Sequence, residues 1–403
     1  MSNVTSIQSV ATPKPQTIAT TAGVAQDETH HSVAPALHLS ATYGWKDPCQ
    51  KPGFDYSRSG NPTRQHLEQA LADLEGAARG VVTATGMAAV DLPFNLVNPG
   101  ELVLAPHDCY GGTYRLLSAR AKRGHFRLQF VDQTNEQALL EAFAQKPKLV
   151  LIETPSNPLL RVSDIARIVA LARSAGTITV ADNTFLSPAL QNPLHLGCDI
   201  VVHSTTKYIN GHSDVVGGAV LSRDAALGEE LAWWANCTGV TGAPFDSYLT
   251  LRGLRTLFVR LQQQENTAHS IAATLADDSR VSQVFYPGLK NDPGHEIASK
   301  QQKGFGAMLS VEFAEQVDTL ALLRSLNVFT IAESLGGFES LVCTPATMTH
   351  ASMDEAAQKA AGISKRLVRF SVGLEHEADL LADLNQSLNQ ATAFHHNATA
   401  ASG

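Results

Sequence analysis

The feature that most restricts the fold is a recurring unit. A short apolar run without polar alternation breaks into a polar or glycine-bearing loop, and a helical stretch follows. The runs are GVVTATGMAAV (80–90), ELVLAPHDCYGG (101–112), KLVLIETPSNP (148–158), ITVADNTF (178–185) and DIVVHSTTK (199–207). Strands that are apolar on both faces need cover on both faces, which is the mark of a mostly parallel central sheet flanked by helices. Between the third and fourth runs, Ile165, Ile168, Val169 and Ala172 share one helical face that Gly176 closes. An earlier helix is expected after Thr63 as N-cap, with Leu67, Ala70, Leu71 and Leu74 on its apolar face and Gly76 as its stop. The fold class is α/β.

At 403 residues the chain calls for two or three units. Residues 1–62 hold little periodicity and read as an extended arm ending in the Gly60-Asn61-Pro62 turn. The α/β unit spans 63–257. From 258 to 390 the pattern changes to a smaller α+β domain, with a long amphipathic helix over 257–278 and strands in 303–313 and 366–375. The low-complexity stretch 391–403 reads as a disordered tail.

Several function classes drop out. A formal net charge of −8 with no basic stripe leaves no nucleic-acid footprint. No apolar run approaches the roughly 18 residues of a membrane span, and the polar N-terminus lacks a signal-peptide layout. Five scattered cysteines without a CxxC argue against zinc and against a disulfide framework, so a cytoplasmic location is expected. The pairs His30–His31 and His395–His396 read as solvated termini, and no metal is expected. Neither G-x-G-x-x-G nor G-x-x-x-x-G-K-[ST] follows a strand, which disfavours a nucleotide-binding protein.

The fifth run ends in Ser204, Thr205 and Thr206, then one lysine, Lys207, then a glycine-rich exit through Gly211, Gly217 and Gly218. Partial burial lowers an ammonium pKa, which frees the amine to condense with an aldehyde. The hydroxyls beside it can donate to a phosphate. Aldehyde and phosphate on one small molecule describe pyridoxal phosphate (PLP). In open α/β sheets ligands sit at the carboxyl ends of the strands, where this chain also brings Gly86, Met87, Tyr110, Asn157 and Asp182. Gly86 admits the phosphate to the next helix's free amides, and Tyr110 offers a face to stack on the pyridine ring. Asp182 can keep the ring nitrogen protonated, and Asn157 can bond the phenolic oxygen. Arg369, inside an apolar run, needs an anion, either a substrate carboxylate or an internal salt-bridge partner. Each residue also has a structural reading of its own, down to an α/β binding scaffold whose lysine carries no cofactor.

Five segments carry a family likeness: DYSRSGNPT (55–63), APHDCYGGTYR (105–115), ETPSNPLLRVSDI (153–165), ADNTFLSPALQNP (181–193) and HSTTKYINGHSDVVGG (203–218). They resemble the Cys/Met-metabolism family of fold-type-I PLP enzymes, and the likeness runs from about 17 to 390. It implies a homotetramer, a dimer of dimers in which the arm lends Tyr56 and Arg58 to the neighbouring subunit's cofactor phosphate. It further implies Lys207 as the covalent lysine, with Tyr110 beside the reacting atoms. Gly86, Met87, Ser204 and Thr206 would hold phosphate, Asp182 the ring nitrogen and Arg369 the substrate carboxylate. Arg115, Asp55, Glu333 and Ser334 would line the substrate channel. Segments 230–257, 301–310 and 332–341 look most like bacterial members that perform γ-replacement. The resemblance thus implies condensation of O-succinyl-L-homoserine with L-cysteine to cystathionine and succinate, a step of transsulfuration and methionine biosynthesis. Cleavage of cystathionine and capture of sulfide are the alternatives. Ser59 departs from members that carry a second arginine there, and Pro345 is a further local difference.

Overall fold

The computed structural model describes residues 13–351 and 353–400. Helix α1 (Pro15–Thr21) precedes an arm that carries isolated bridges, Thr42 with Tyr56 and Asp47 with Gln50. Helix α2 (Pro62–Glu75) then leads into β1 (Arg79–Thr83), α3 (Gly86–Asp91), β2 (Leu102–Pro106) and α4 (Gly111–Lys122). Next come β3 (Arg127–Val131), α5 (Glu136–Phe143), β4 (Leu149–Glu153), α6 (Ile165–Ala175) and β5 (Ile178–Asp182). The larger unit closes with α7 (Ser187–Leu190), β6 (Ile200–His203), β7 (Gly218–Ser222), α8 (Ala225–Thr238) and α9 (Pro244–Leu254).

These strands form one seven-stranded sheet in the order β1-β7-β6-β5-β4-β2-β3, parallel apart from β7, which is antiparallel to both its neighbours. The apolar runs split by parity, as a doubly covered sheet requires. Val150, Ile152, Ala181 and Val201 join the core beneath α2 and α6, whereas Leu149, Leu151, Val180 and Val202 join a second core with Val90 of α3 and Leu231 of α8. Glu75, at the end of α2, accepts from His203 Nε2 at 2.7 Å and Asn183 Nδ2 at 3.0 Å, fixing the helix to the ends of β6 and β5.

Helix α10 (Leu257–Ala276) leads to β8 (Val281–Phe285), α11 (His295–Gln301), β9 (Met308–Phe313) and α12 (Thr319–Ser325). The chain ends with β10 (Thr330–Ile331), β11 (Leu341–Cys343), α13 (Glu355–Ala361), β12 (Leu367–Ser371) and α14 (Glu377–Ala400). Their five-stranded sheet, in the order β10-β11-β12-β9-β8, shares the first core through Leu309, Val311, Val368 and Phe370.

Four local expectations change. Helix α2 is capped by Asn61, whose side chain accepts from the Thr63 and Arg64 amides, because Pro62 occupies the first helical position. The glycine-rich exit runs as a loop through Gly211 and Gly217, but its last glycine, Gly218, opens a strand that was not expected, β7. A Cβ on Gly218 would fall 2.3 Å from the Thr85 carbonyl oxygen, so the glycine reflects backbone crowding rather than a loop. Strand β3 has an exposed first residue and only partly buried middle positions, which is why it carries no apolar run. Lastly, α14 continues to Ala400 with Ala391 buried in the core, where the composition led us to expect disorder. Residues 401–403 lie outside the described residues, as does the side-chain placement of His395 and His396. Among the described residues no helix is long and apolar enough to cross a membrane.

Helix α9 presses on the loop after Lys207. A Cβ on Gly253 would lie 2.0 Å from the Asn210 carbonyl oxygen, a backbone atom that cannot rotate away. We expect Gly253→Ala to cost about 1–3 kcal/mol of stability, the range for overpacking. A urea denaturation midpoint equal to wild type would show that α9 can shift freely.

Candidate active site

The carboxyl ends of β4, β5 and β6 open into a cavity of about 410 Å³ that the start of α3, Tyr110 and residues around the five-stranded sheet also line. Chain connectivity brings the parts together. Glu153 and Asp182 end adjacent parallel strands as register partners, and the turn after β6 supplies Ser204, Thr206 and Lys207. From the smaller domain come Glu333, Ser334, Leu335, Thr349 and Arg369.

One side of the cavity is the start of α3. Thr85 caps it by accepting from the Ala88 amide at 3.0 Å, and the Gly86 and Met87 amides open the helix, where no preceding turn supplies acceptors. A Cβ on Gly86 would lie 2.6 Å from both Cβ and Oγ of Ser204, so only glycine lets the two elements close around a small anion. Thr206 is held by Gly217, whose amide donates to its Oγ1 at 3.0 Å.

Tyr110 is 41% exposed at the mouth. Its amide donates to Glu153 Oε2 at 3.0 Å, and Gly112 gives its ring room, since a Cβ there would come within 2.5 Å of it. Below lie two carboxyls, Glu153 buried and Asp182 half-buried. Asp182 accepts from the Thr184 amide at 3.0 Å, and burial pushes its pKa up. Burial pushes Glu153 well up too, and the neighbouring Asp182 adds to the rise. Among the described residues no cation lies within salt-bridge distance of either carboxyl.

The opposite wall has the complementary deficit. Arg369 is buried on β12, and no carboxylate among the described residues pairs with it. Its Nη1 donates to Asn157 Oδ1 at 2.9 Å and its Nη2 to the Ser334 carbonyl at 2.8 Å, while Nε has no partner. Of its two sequence-based readings, the internal salt bridge is therefore not realised. Lys207 Nζ donates to Ser334 Oγ at 2.7 Å. Burial holds the lysine down at about 8, helped by the Arg369 charge and opposed by Glu333.

The cavity therefore brings together Gly86, Met87, Tyr110, Asn157, Asp182, Ser204, Thr206, Lys207, Glu333, Ser334 and Arg369. Tyr56, Arg58, Asp55 and Arg115 do not line it. Arg58 Nη1 donates to the Asn236 carbonyl at 3.0 Å and its guanidinium lies 5.6 Å from the centre of the half-exposed Tyr56 ring. Asp55 accepts from Ser59 Oγ at 2.8 Å and pairs with Lys51 at 3.1 Å, which together hold its carboxyl at about 2. Arg115 is exposed on α4. Glu153 was missed from sequence, although its register with Asp182 could be counted from the two apolar runs. Thr85, Thr184, Val216 and Thr349 carried no comparable signal.

The donor set is that of a PLP site, and comparison with known proteins agrees. Residues 16–389 match the family described as Cys/Met metabolism PLP-dependent enzyme. The chain belongs to that family. It is 54% identical to cystathionine gamma-synthase of Escherichia coli (strain K12) over 382 residues, covering 94% of this chain and 99% of that one. Cystathionine gamma-lyase of Bacillus subtilis (strain 168) is 41% identical, covering 93% and 99%. Among solved structures, cystathionine gamma synthase from Xanthomonas oryzae pv. oryzae in complex with cystathionine superposes with a TM-score of 0.93 at 52% identity, covering 94% of this chain and 99% of that one. The α/β fold and the PLP cofactor expected from the sequence both stand.

The lysine environment makes a kinetic prediction. The neutral amine is the form that captures the aldehyde, and Lys207 is neutral above about pH 8. The rate at which apoprotein takes up PLP, followed by absorbance, should rise through a midpoint near that value. A midpoint close to the ordinary lysine range, about 10.4, would place the amine in water.

Proposed function

We propose that this enzyme catalyses γ-replacement, condensing O-succinyl-L-homoserine with L-cysteine to give cystathionine and succinate. The observation that carries the reading is the bridge through Ser334, which links the amine of Lys207 to the guanidinium of Arg369. A general base and a carboxylate anchor are thereby held on one short span, the spacing an α-amino acid needs if its Cα proton is to be removed. The family resemblance supports the same assignment.

The cavity's charge pattern fits PLP. The Asp182–Glu153 pair lacks a cation that a protonated ring nitrogen would supply, and the Gly86 cradle accepts a group no Cβ would admit. In this reading Gly86, Met87, Ser204 and Thr206 bind the phosphate, Tyr110 stacks on the ring, Asn157 donates to the ring oxygen and Asp182 keeps the ring nitrogen protonated. Bound there, the cofactor supplies an electron sink for charge developed at Cα. Arg369 binds the substrate α-carboxylate through its unpartnered Nε. Lys207 Nζ takes the Cα proton and serves the following proton shifts, its flexible stem reaching the neighbouring carbon. Loss of succinate from Cγ is then followed by attack of the cysteine thiolate at that carbon. Glu333 and Ser334 flank the lysine and shape the channel, and the family resemblance adds Asp55 and Arg115, which do not line this chain's own cavity.

Tyr56 and Arg58 complete the phosphate site of a neighbouring subunit in a homotetramer. Their exposure on an arm that does not line its own cavity supports this. All five cysteines are free, which suits the cytoplasm.

The deciding experiment offers O-succinyl-L-homoserine and L-cysteine to the PLP-loaded enzyme and scores products by mass spectrometry. Cystathionine should dominate. 2-Oxobutanoate with cysteine ignored would sink the γ-replacement reading and favour a γ-lyase, and Ser59, whose hydroxyl is taken up by Asp55, would be the residue to examine. Shared sites predict complementation. Arg58→Ala and Lys207→Ala subunits, each nearly inactive alone, should on mixing regain about a quarter of wild-type activity, because half the dimers are hybrids with one intact site of two. No regain would place Arg58 outside the neighbour's site.

A further inference from the structure

The segment ESLVCTPATMTH (339–350) runs from β11 to the cavity floor. Thr349 lines the cavity and His350 lies behind it, fully buried. His350 Nε2 is 3.0 Å from the Asn157 carbonyl oxygen, and Nδ1 is 2.9 Å from Thr349 Oγ1. A carbonyl can only accept, so Nε2 carries the hydrogen, and the neutral ring accepts the Thr349 hydroxyl at Nδ1. Burial and the Arg369 charge hold the ring pKa down at about 4, against smaller pulls from the Asn157 hydrogen bond and Asp108, so this single tautomer persists at neutral pH. The backbone around the ring is also fixed. The His350 amide donates to the Pro345 carbonyl at 2.9 Å, and Gln358 Nε2 donates to the carbonyls of His350 and Ala346, each at 3.0 Å.

Asn157 is therefore gripped twice. His350 holds its main-chain carbonyl, and Arg369 Nη1 holds Oδ1 of its side chain at 2.9 Å. With Oδ1 committed to a guanidinium, Nδ2 is the end of the amide left for the cavity.

We propose that His350 is a positioning residue that, through the Asn157 main chain, aims the Asn157 amide at the ring oxygen of bound PLP and couples that contact to the Arg369 carboxylate anchor. The inference rests on the cofactor reading above. Its physical content is a proton affinity. An N–H donated to the ring oxygen stabilises negative charge there, so the bound chromophore gives up its proton at lower pH, and a misaimed amide raises the pH at which the visible absorbance titrates.

The test titrates the visible absorbance of PLP-loaded enzyme without substrate, in wild type, His350→Phe and His350→Gln. Phenylalanine keeps the volume but removes the donor, and the titration midpoint should rise by about 0.5 pH unit or more. Glutamine restores an N–H donor and should bring the midpoint back toward wild type. A purely structural role would lower thermal stability yet leave the midpoint unmoved in His350→Phe, which would overturn the proposal. If that variant does not fold, ¹⁵N NMR of the wild-type holoenzyme decides. Hydrogen on Nε2 is the expected result, and hydrogen on Nδ1 alone would overturn it. A wild-type protein that takes up PLP with no visible band would instead refute the cofactor reading itself.

Discussion

Ser334 ties together side chains delivered by the two sheets. Its hydroxyl accepts from Lys207, delivered by the loop after β6, and its carbonyl accepts from Arg369, delivered by β12. Presenting both groups inward takes a φ of 86°, a left-handed conformation that costs a non-glycine residue of order 1–3 kcal/mol. The surroundings enforce it. Two residues on, Gly336 turns at φ 75° against Tyr208, where a Cβ would meet the Tyr208 amide nitrogen at 2.7 Å. Strain at this point is offset by the core that the two domains share, and the site's geometry is set before any ligand arrives.

The cavity is lined by ionisable groups that lack ion partners. Two carboxyls lack a cation on one side, and a guanidinium nitrogen lacks an acceptor on the other. Such an arrangement destabilises the empty protein locally and becomes favourable only when a ligand brings the opposite signs. Affinity and orientation thus have one source, because a ligand bound the wrong way round would leave both deficits standing.

Much of this was legible from the sequence because it rests on patterns of period two and on residue chemistry. The apolar runs gave five strands of the large sheet, and the residues at their ends proved to line one cavity. Asp182, Lys207 and Arg369 were recognisable because a charged group after or within an apolar run needs a purpose. What escaped detection depended on tertiary contact. Strand β7 was hidden because it opens on Gly218, a glycine that answers to Thr85, a residue remote in sequence. The cap of α2 moved to Asn61 because a proline fixed the helix start. The helical continuation to Ala400 begins at Ala391, whose burial no composition reveals. The arm's residues could be named only by resemblance, since nothing in their own spacing points to a cavity they do not line.

The antiparallel return of β7 has a bearing on time. Lys207 sits early in the fourteen-residue connection between β6 and β7, with its amide donating to the Ser204 carbonyl at 3.3 Å and its carbonyl accepting from Gly211 at 2.8 Å. Its main chain is clamped at both ends, so the only soft coordinates left to the amine are the torsions of its own side chain. Side-chain torsions relax faster than loops, which take up to microseconds. In the proposed reaction, proton transfer between adjacent carbons would therefore run on a side-chain clock and need not wait for any rearrangement of the backbone.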